Sequence, residues 1–130
     1  MEHKKQIEIR WRDLDAFGHV NHVVFLTYLE EVRDEWLARS LGDAGEIWSF
    51  VVARVAIDYR RELSLRDDVI VAHCGLDGVG KSSVRTREEI LTRDGEVAAN
   101  AEVVLVARDP ETSRSRPLTE EERGALQRDF

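Results

Sequence analysis

A single cysteine, Cys74, rules out an intrachain disulfide. The longest apolar stretches, VVARVAI and VVLVA, are far too short to span a bilayer. The opening residues, MEHKKQIE, are charged and lack the apolar core of a signal peptide. Basic residues are in deficit, with 19 Lys and Arg against 26 Asp and Glu, for a net charge of -7. Nucleic acid and anionic membranes are bound through an excess of Lys and Arg. Neither is expected as a general partner, and any polyanionic ligand needs a local basic patch. No G-x-S-x-G elbow is present, and His3, His19, His22 and His73 show no metal-ligand spacing. The expectation is a cytoplasmic protein without a metal or a cofactor of its own.

With 130 residues, 42% of them hydrophobic, the chain suits one domain over 1–130 with a substantial core. Residues 6–12, QIEIRWR, alternate Ile7, Ile9 and Trp11 with charged neighbours, the period of a half-buried strand. From Asn21 the period changes. Phe25, Leu29, Val32 and Trp36, widened by Tyr28, Leu37 and Leu41, predict an amphipathic helix over 22–41, with Asn21 as N-cap and Gly42 as its stop. Strand-like runs follow at 49–60, 69–76, 82–92 and 96–108, separated by LRDD, GLDGVG and RDG. In the first of them Val51, Ala53, Val55, Ile57 and Tyr59 share a face. LTEEERGALQRDF reads as a short exposed helix capped by Thr119. Strand, long helix and four strands make an α+β domain, a five-stranded antiparallel sheet wrapped around one helix. One helix cannot cover such a sheet on both faces and both edges, so oligomerisation is expected.

DLDAFGHVNH, residues 13–22, crowds ionisable groups at the predicted helix entrance. A helix N-terminus has unsatisfied N–H groups and a partial positive charge that suit an oxygen gaining negative charge. A carboxylate beside it makes hydrolysis possible. Asp15 is placed to attack a carbonyl carbon or activate a water, with N–H groups near Asn21 and His22 stabilising the oxyanion. Gly18 would let the backbone approach a ligand. The plainer alternative is that Asp13 and Asp15 only cap and solvate the helix start.

DLDAFGHVNHVVFLTYLEEVR resembles the signature of the 4-hydroxybenzoyl-CoA thioesterase-like branch of the hotdog-fold acyl-CoA thioesterases, roughly D-x-D-x-x-G-H-V-N-N-x-x-Y-x-x-Y-x-E-x-A-R. IDYRRELSLRDDVIV, GKSS and RDPETSRSRPL resemble that family's later motifs, in order. The resemblance implies a hotdog fold and hydrolysis of an acyl thioester to free acid and thiol, with coenzyme A as part of the substrate. It implies Asp15 as the catalytic carboxylate, the His22 N–H as the group polarising the carbonyl, and the His22 ring as a candidate acid or base. Substrate contacts are then expected from Gly18, Asn21, Phe25, Tyr59, Arg60, Arg61, Ser82 and Ser83. Arg60, Arg61, Lys81 and Arg85 are candidates for the phosphates, and Phe25, Tyr28, Trp48 and Tyr59 for the acyl group. Phe25 and Glu62 depart from the family, which commonly has Tyr and Pro at these positions. A homodimer or dimer of dimers, a homotetramer, with sites between subunits is also implied.

Two other readings compete. GLDGVGKS, residues 75–82, satisfies the phosphate-loop pattern G-x-x-x-x-G-K-[ST]. That loop must open a helix, and SSVRTREEILT puts Arg87 and Glu88 where a helical stripe needs apolar residues. The other is a non-catalytic acyl-CoA or acyl-carrier binding module on the same scaffold, which binds without turnover. Cys74, among apolar neighbours, reads as a buried structural residue.

Overall fold

The computed structural model describes residues 2–128, so the last two positions of the C-terminal stretch, Asp129 and Phe130, lie outside the described residues. In chain order the elements are β1 (Glu2–Glu8), α1 (His22–Leu41), β2 (Phe50–Tyr59), β3 (Val69–Val79), β4 (Ser83–Thr92), β5 (Val97–Ala107) and α2 (Glu120–Gln127). The strands form one antiparallel sheet in the order β1-β3-β4-β5-β2. This sheet around α1 is the hotdog arrangement.

Helix α1 begins where Asn21 Oδ1 accepts the Val23 N–H at 2.9 Å, a cap that contributes about 1 kcal/mol. It ends at Gly42, whose φ of 53° suits a residue without a Cβ. Its Phe25, Tyr28, Leu29, Val32, Trp36, Leu37 and Leu41 are buried. Opposite them the inner face of the sheet supplies Ile70, Ala72 and Cys74 from β3, Val84 and Ile90 from β4, and Ala101, Val103 and Leu105 from β5. Each large side chain fully buried this way contributes about 1.5–3 kcal/mol. Glu88 stands on the same inner face and is matched by Arg33 of α1, Nη1 to Oε1 2.9 Å. Burial lifts the Cys74 thiol pKa far above its ordinary value, with the Glu88 carboxylate adding to it, so the thiol stays protonated.

Three expectations need correction. The first strand lies at Glu2–Glu8 rather than 6–12; Ile7 and Ile9 are buried as expected, but Trp11 is 80% exposed. The Asp13 carboxylate accepts the Arg10 N–H and closes Trp11–Asp13 into a 3-10 turn that ends the alternation. In β2 the alternating face is broken by a bulge between Val52 and Arg54, and Val51, Val52 and Val55 are exposed because β2 is a sheet edge. The terminal helix is not simply exposed. Thr119 caps α2 through the Glu122 N–H, but Glu122, Ala125 and Leu126 are buried. Arg116 grips Glu122 with two bonds of 2.8 and 2.9 Å. Burial works against that carboxylate, and the bonds from Arg116 and Thr119 outweigh it, holding its pKa below the ordinary value.

GLDGVGKS is not a phosphate loop. Gly75–Val79 are the end of β3, a short turn follows, and β4 opens at Ser83 as a strand.

Candidate active site

Residues 14–20 form a small closed loop. Leu14 and Val20 bridge its ends, the Asp15 N–H donates to His19 O at 2.9 Å, and the Gly18 N–H returns to Asp15 O at 3.0 Å. Gly18 has a φ of 78°, which a side chain there would strain. Asp15 Oδ1 accepts the Phe17 N–H at 2.9 Å, which orients the carboxylate. Its other oxygen has no partner among the described residues. The loop is pinned to the segment after β2, with the Val20 N–H on Leu63 O at 2.7 Å and His19 Nε2 3.2 Å from Glu62 Oε2.

His22 is the first residue of α1. The Val23 N–H is taken by the Asn21 side chain and the Val24 N–H by Asn21 O. The His22 N–H has no such partner among the described residues and remains available. The Tyr59 hydroxyl donates to His22 O at 2.9 Å, and the two rings meet edge-on with centroids 6.1 Å apart. Phe25 meets the other side of Tyr59 edge-on at 5.2 Å. Partial burial pushes the Tyr59 phenol pKa up, so it remains a donor. Val20, His22, Phe25, Tyr59 and the 60–62 segment line an open cavity of about 370 Å³. The result is a carboxylate held on the loop that leads into an open helix N-terminus, with an aromatic-walled cavity at that N-terminus.

The sequence model of the thioesterase-like superfamily matches residues 9–126, the DLDAFGHVNH loop, α1 and the whole sheet after it. The chain belongs to this superfamily. It is 32% identical over 128 residues to the long-chain acyl-CoA thioesterase FadM of Escherichia coli (strain K12), across 94% of this chain and 95% of FadM. A thioesterase from Thermus thermophilus, solved in complex with coenzyme A and Zn, superposes with a TM-score of 0.86 at 36% identity, covering 96% of this chain and 91% of that one. YbaW, a probable thioesterase from Escherichia coli, superposes at 0.82 with 30% identity, covering 96% of each chain.

In this member of the thioesterase-like superfamily, His22, Phe25, Tyr59, Arg60 and Arg61 all line the cavity. Asp15 and Gly18 lie on the adjacent loop, and Asn21 is the helix cap. Ser82 and Ser83 are elsewhere, at the β3–β4 turn, where the Ala107 N–H donates to Ser82 O. Tyr28 and Trp48 do not line the cavity: Tyr28 is wholly buried in the core, and Trp48 is 77% exposed beside β2. Arg61 is committed to Asp67 and Glu96, both at 3.0 Å. Arg60 bonds Asn100 at 2.8 Å, and Arg85 lies 3.8 Å from Asp77. Lys81 has no side-chain partner among the described residues, which leaves it the freest of the four cations. Sequence reasoning missed Val20 and Glu62 as cavity residues and treated Asp13 as a helix-start solvator, whereas it is buried. A larger cleft of about 760 Å³, on the sheet face away from α1, is walled by polar and charged residues such as His73, Arg87 and Glu89. It contains no residue of DLDAFGHVNH, so the smaller cavity is the better seat for the chemistry. Among the described residues no three His, Cys, Asp or Glu side chains are grouped to hold a metal, and no helix is long and apolar enough to cross a membrane.

Proposed function

We propose that this chain, an acyl-CoA thioesterase by family, hydrolyses its substrate at the entrance of α1 with Asp15 as the catalytic carboxylate. The observation that carries this reading is the pinned Asp15 loop leading into the start of α1, where the His22 N–H has no partner among the described residues and His22 lines an aromatic-walled cavity. The thioester carbonyl oxygen takes the His22 N–H and the helix dipole, which stabilise the negative charge that develops as the carbon becomes tetrahedral. Asp15 either attacks that carbon, forming an anhydride that water then cleaves, or takes a proton from the attacking water. The C–S bond breaks and the thiolate leaves. A thioester suits so small a set of groups because its carbonyl lacks amide resonance and its thiolate leaves readily. FadM is named for long-chain acyl-CoA, and at 32% identity over nearly both chains it favours an aliphatic acyl group here over an aromatic one.

The His22 imidazole stands at the cavity wall with its backbone fixed by Tyr59, and in this reading it exchanges protons with the leaving thiol or the water. His22→Ala therefore lowers kcat about 10²-fold while KM changes little, as read by thiol release over a range of substrate concentrations. Unchanged turnover would reduce the ring to scaffold.

The full site is shared between two copies. The two sheet edges differ: β1, EHKKQIE, is charged and resists pairing, whereas β2, FVVARVAIDY, exposes Val51, Val52 and Val55. Antiparallel pairing of β2 with β2 of a second copy removes the apolar edge. Tyr59 and Phe50 are at opposite ends of β2, about 30 Å apart, and Phe50 pairs with Ala107, which bonds Ser82. A two-fold axis near the middle of β2 thus carries the Lys81–Ser83 turn of one copy to the α1 entrance of the other. Val55→Arg is expected to give monomers by analytical ultracentrifugation with at least tenfold less turnover; an active dimer would place the interface elsewhere.

A further inference from the structure

Asp13 is an acid inside the core. It is 4% exposed and faces Tyr28, which is not exposed at all. The Tyr28 hydroxyl donates to Asp13 Oδ2 at 2.6 Å, the short length of a bond to a charged acceptor. The same oxygen accepts the Arg10 N–H at 3.0 Å, and the Arg10 guanidinium stands 3.7 Å from Oδ1. Meanwhile Asp13 O accepts the Asn21 N–H at 2.9 Å. One residue thus ties together the end of the 3-10 turn, the cap of α1 and a side chain two turns into that helix. A buried carboxylate and phenol are costly compared with two apolar groups of the same size, so packing alone does not account for them.

The loop that carries Asp15 closes on itself between Leu14 and Val20, which pack into the core, and among the described residues its hydrogen bonds toward α1 run through this node and Asn21. We infer that Asp13 and Tyr28 are positioning residues, a buried latch that sets where Asp15 stands relative to the His22 N–H. Neither touches the reacting atoms, since both are buried and neither lines the cavity. The inference rests on Asp15 being the catalytic carboxylate. Reacting groups must meet within a fraction of an ångström, and a misplacement of about 1 Å costs on the order of 10²-fold in rate. Loosening the latch moves the carboxylate without altering the cavity that binds the acyl group.

The test is a double-mutant cycle of Tyr28→Phe and Asp15→Asn, with thiol release and thermal unfolding measured on all four proteins. Tyr28→Phe keeps the ring in the core and removes only the hydroxyl. Its expected effect is a loss of kcat of about tenfold or more with KM within about threefold, at a temperature where circular dichroism shows full folding. In the Asp15→Asn background it should cost nothing further in turnover, although it lowers the melting temperature equally in both backgrounds. A purely structural pair would act on turnover independently of Asp15. Wild-type kcat in Tyr28→Phe, or an undiminished loss in the Asp15→Asn background, overturns the inference. Should Tyr28→Phe fail to fold, Asp13→Asn, which keeps an acceptor and loses the charge, replaces it in the same cycle with the same results expected. The arms separate the two claims: if Asp15→Asn retains wild-type turnover, the catalytic reading itself fails, and if only the Tyr28→Phe arm fails, the latch alone is lost.

Discussion

Asp15→Asn is expected to lower thioester turnover by about 10²- to 10⁴-fold, the span of a lost general base or nucleophile. Stability and oligomeric state should change little. Asparagine is nearly the size of aspartate, and its side-chain oxygen can still accept the Phe17 N–H that orients residue 15. The loop retains its backbone bonds between Asp15, Gly18 and His19. Nucleophilicity and basicity are lost, while the His22 N–H and the cavity remain to bind and polarise the substrate. The change should therefore fall on kcat more than on KM. Thiol release at saturating acyl-CoA, with a melting curve alongside, checks it; a variant that turns over like the parent would return Asp15 to the role of a solvated loop residue.

The largest expected effect on stability comes from Arg33→Met. Arg33 and Glu88 are both buried, with side-chain exposures of 8% and 0%. Glu88 Oε1 accepts from Arg33 at 2.9 Å and Oε2 from Thr86 at 2.6 Å. Burial raises the Glu88 pKa above its ordinary value of 4.5, against the pull of Arg33 and Thr86. Removing the cation leaves an uncompensated carboxylate in the core, which costs about 3–5 kcal/mol. The pH dependence has a definite sign. A carboxyl whose folded pKa lies above its unfolded value destabilises the fold as pH rises past the unfolded value, and without Arg33 the folded value is higher still. The penalty of Arg33→Met is thus largest at neutral pH and shrinks as pH falls toward 4.5, the ordinary value, below which Glu88 is protonated in both states. Denaturant unfolding of both proteins at pH 7.5 and pH 5 reads this directly. Arg33→Met combined with Glu88→Leu should recover most of the loss, because an apolar pair replaces the ion pair.

Glu88 also shows how far the sequence could be read. Its place between Thr86 and Ile90 on the inner face follows from strand alternation, but its partner lies 55 residues away on α1 and becomes visible only when helix and sheet are packed. Helix α1 was legible end to end because an apolar stripe, Asn21 and Gly42 agree on its limits. The entrance motif pointed to chemistry through the family resemblance of DLDAFGHVNH, because a carboxylate before a helix start serves equally as a cap or a solvated charge. Two errors have one origin, a period mistaken for a burial pattern. Ile7, Ile9 and Trp11 keep strand spacing, yet the Asp13 carboxylate turns the chain before Trp11 can reach the core. Val51, Val55 and Tyr59 have the right residue types for a buried face, but the bulge and the edge position leave them exposed. Their apolar character fits a surface that a second copy covers. Asp13 was read as no more than a cap or solvated group of the helix start because nothing local reveals the hydroxyl of Tyr28, 15 residues on, pointing at it. The same holds for Glu122, whose burial depends on Arg116 folding back across the turn before α2.

Cleavage of acyl-CoA, rather than mere binding, is the activity expected of this chain. Its most direct test is thiol release by the unaltered protein across a series of acyl-CoAs, short, medium and long aliphatic chains and one aromatic acyl group, with binding followed by calorimetry. Saturable release of one thiol per acid formed is expected, with kcat/KM rising toward the longer aliphatic chains. Saturable binding of these acyl-CoAs with no thiol released from any of them would contradict it and leave a binding module on a thioesterase scaffold.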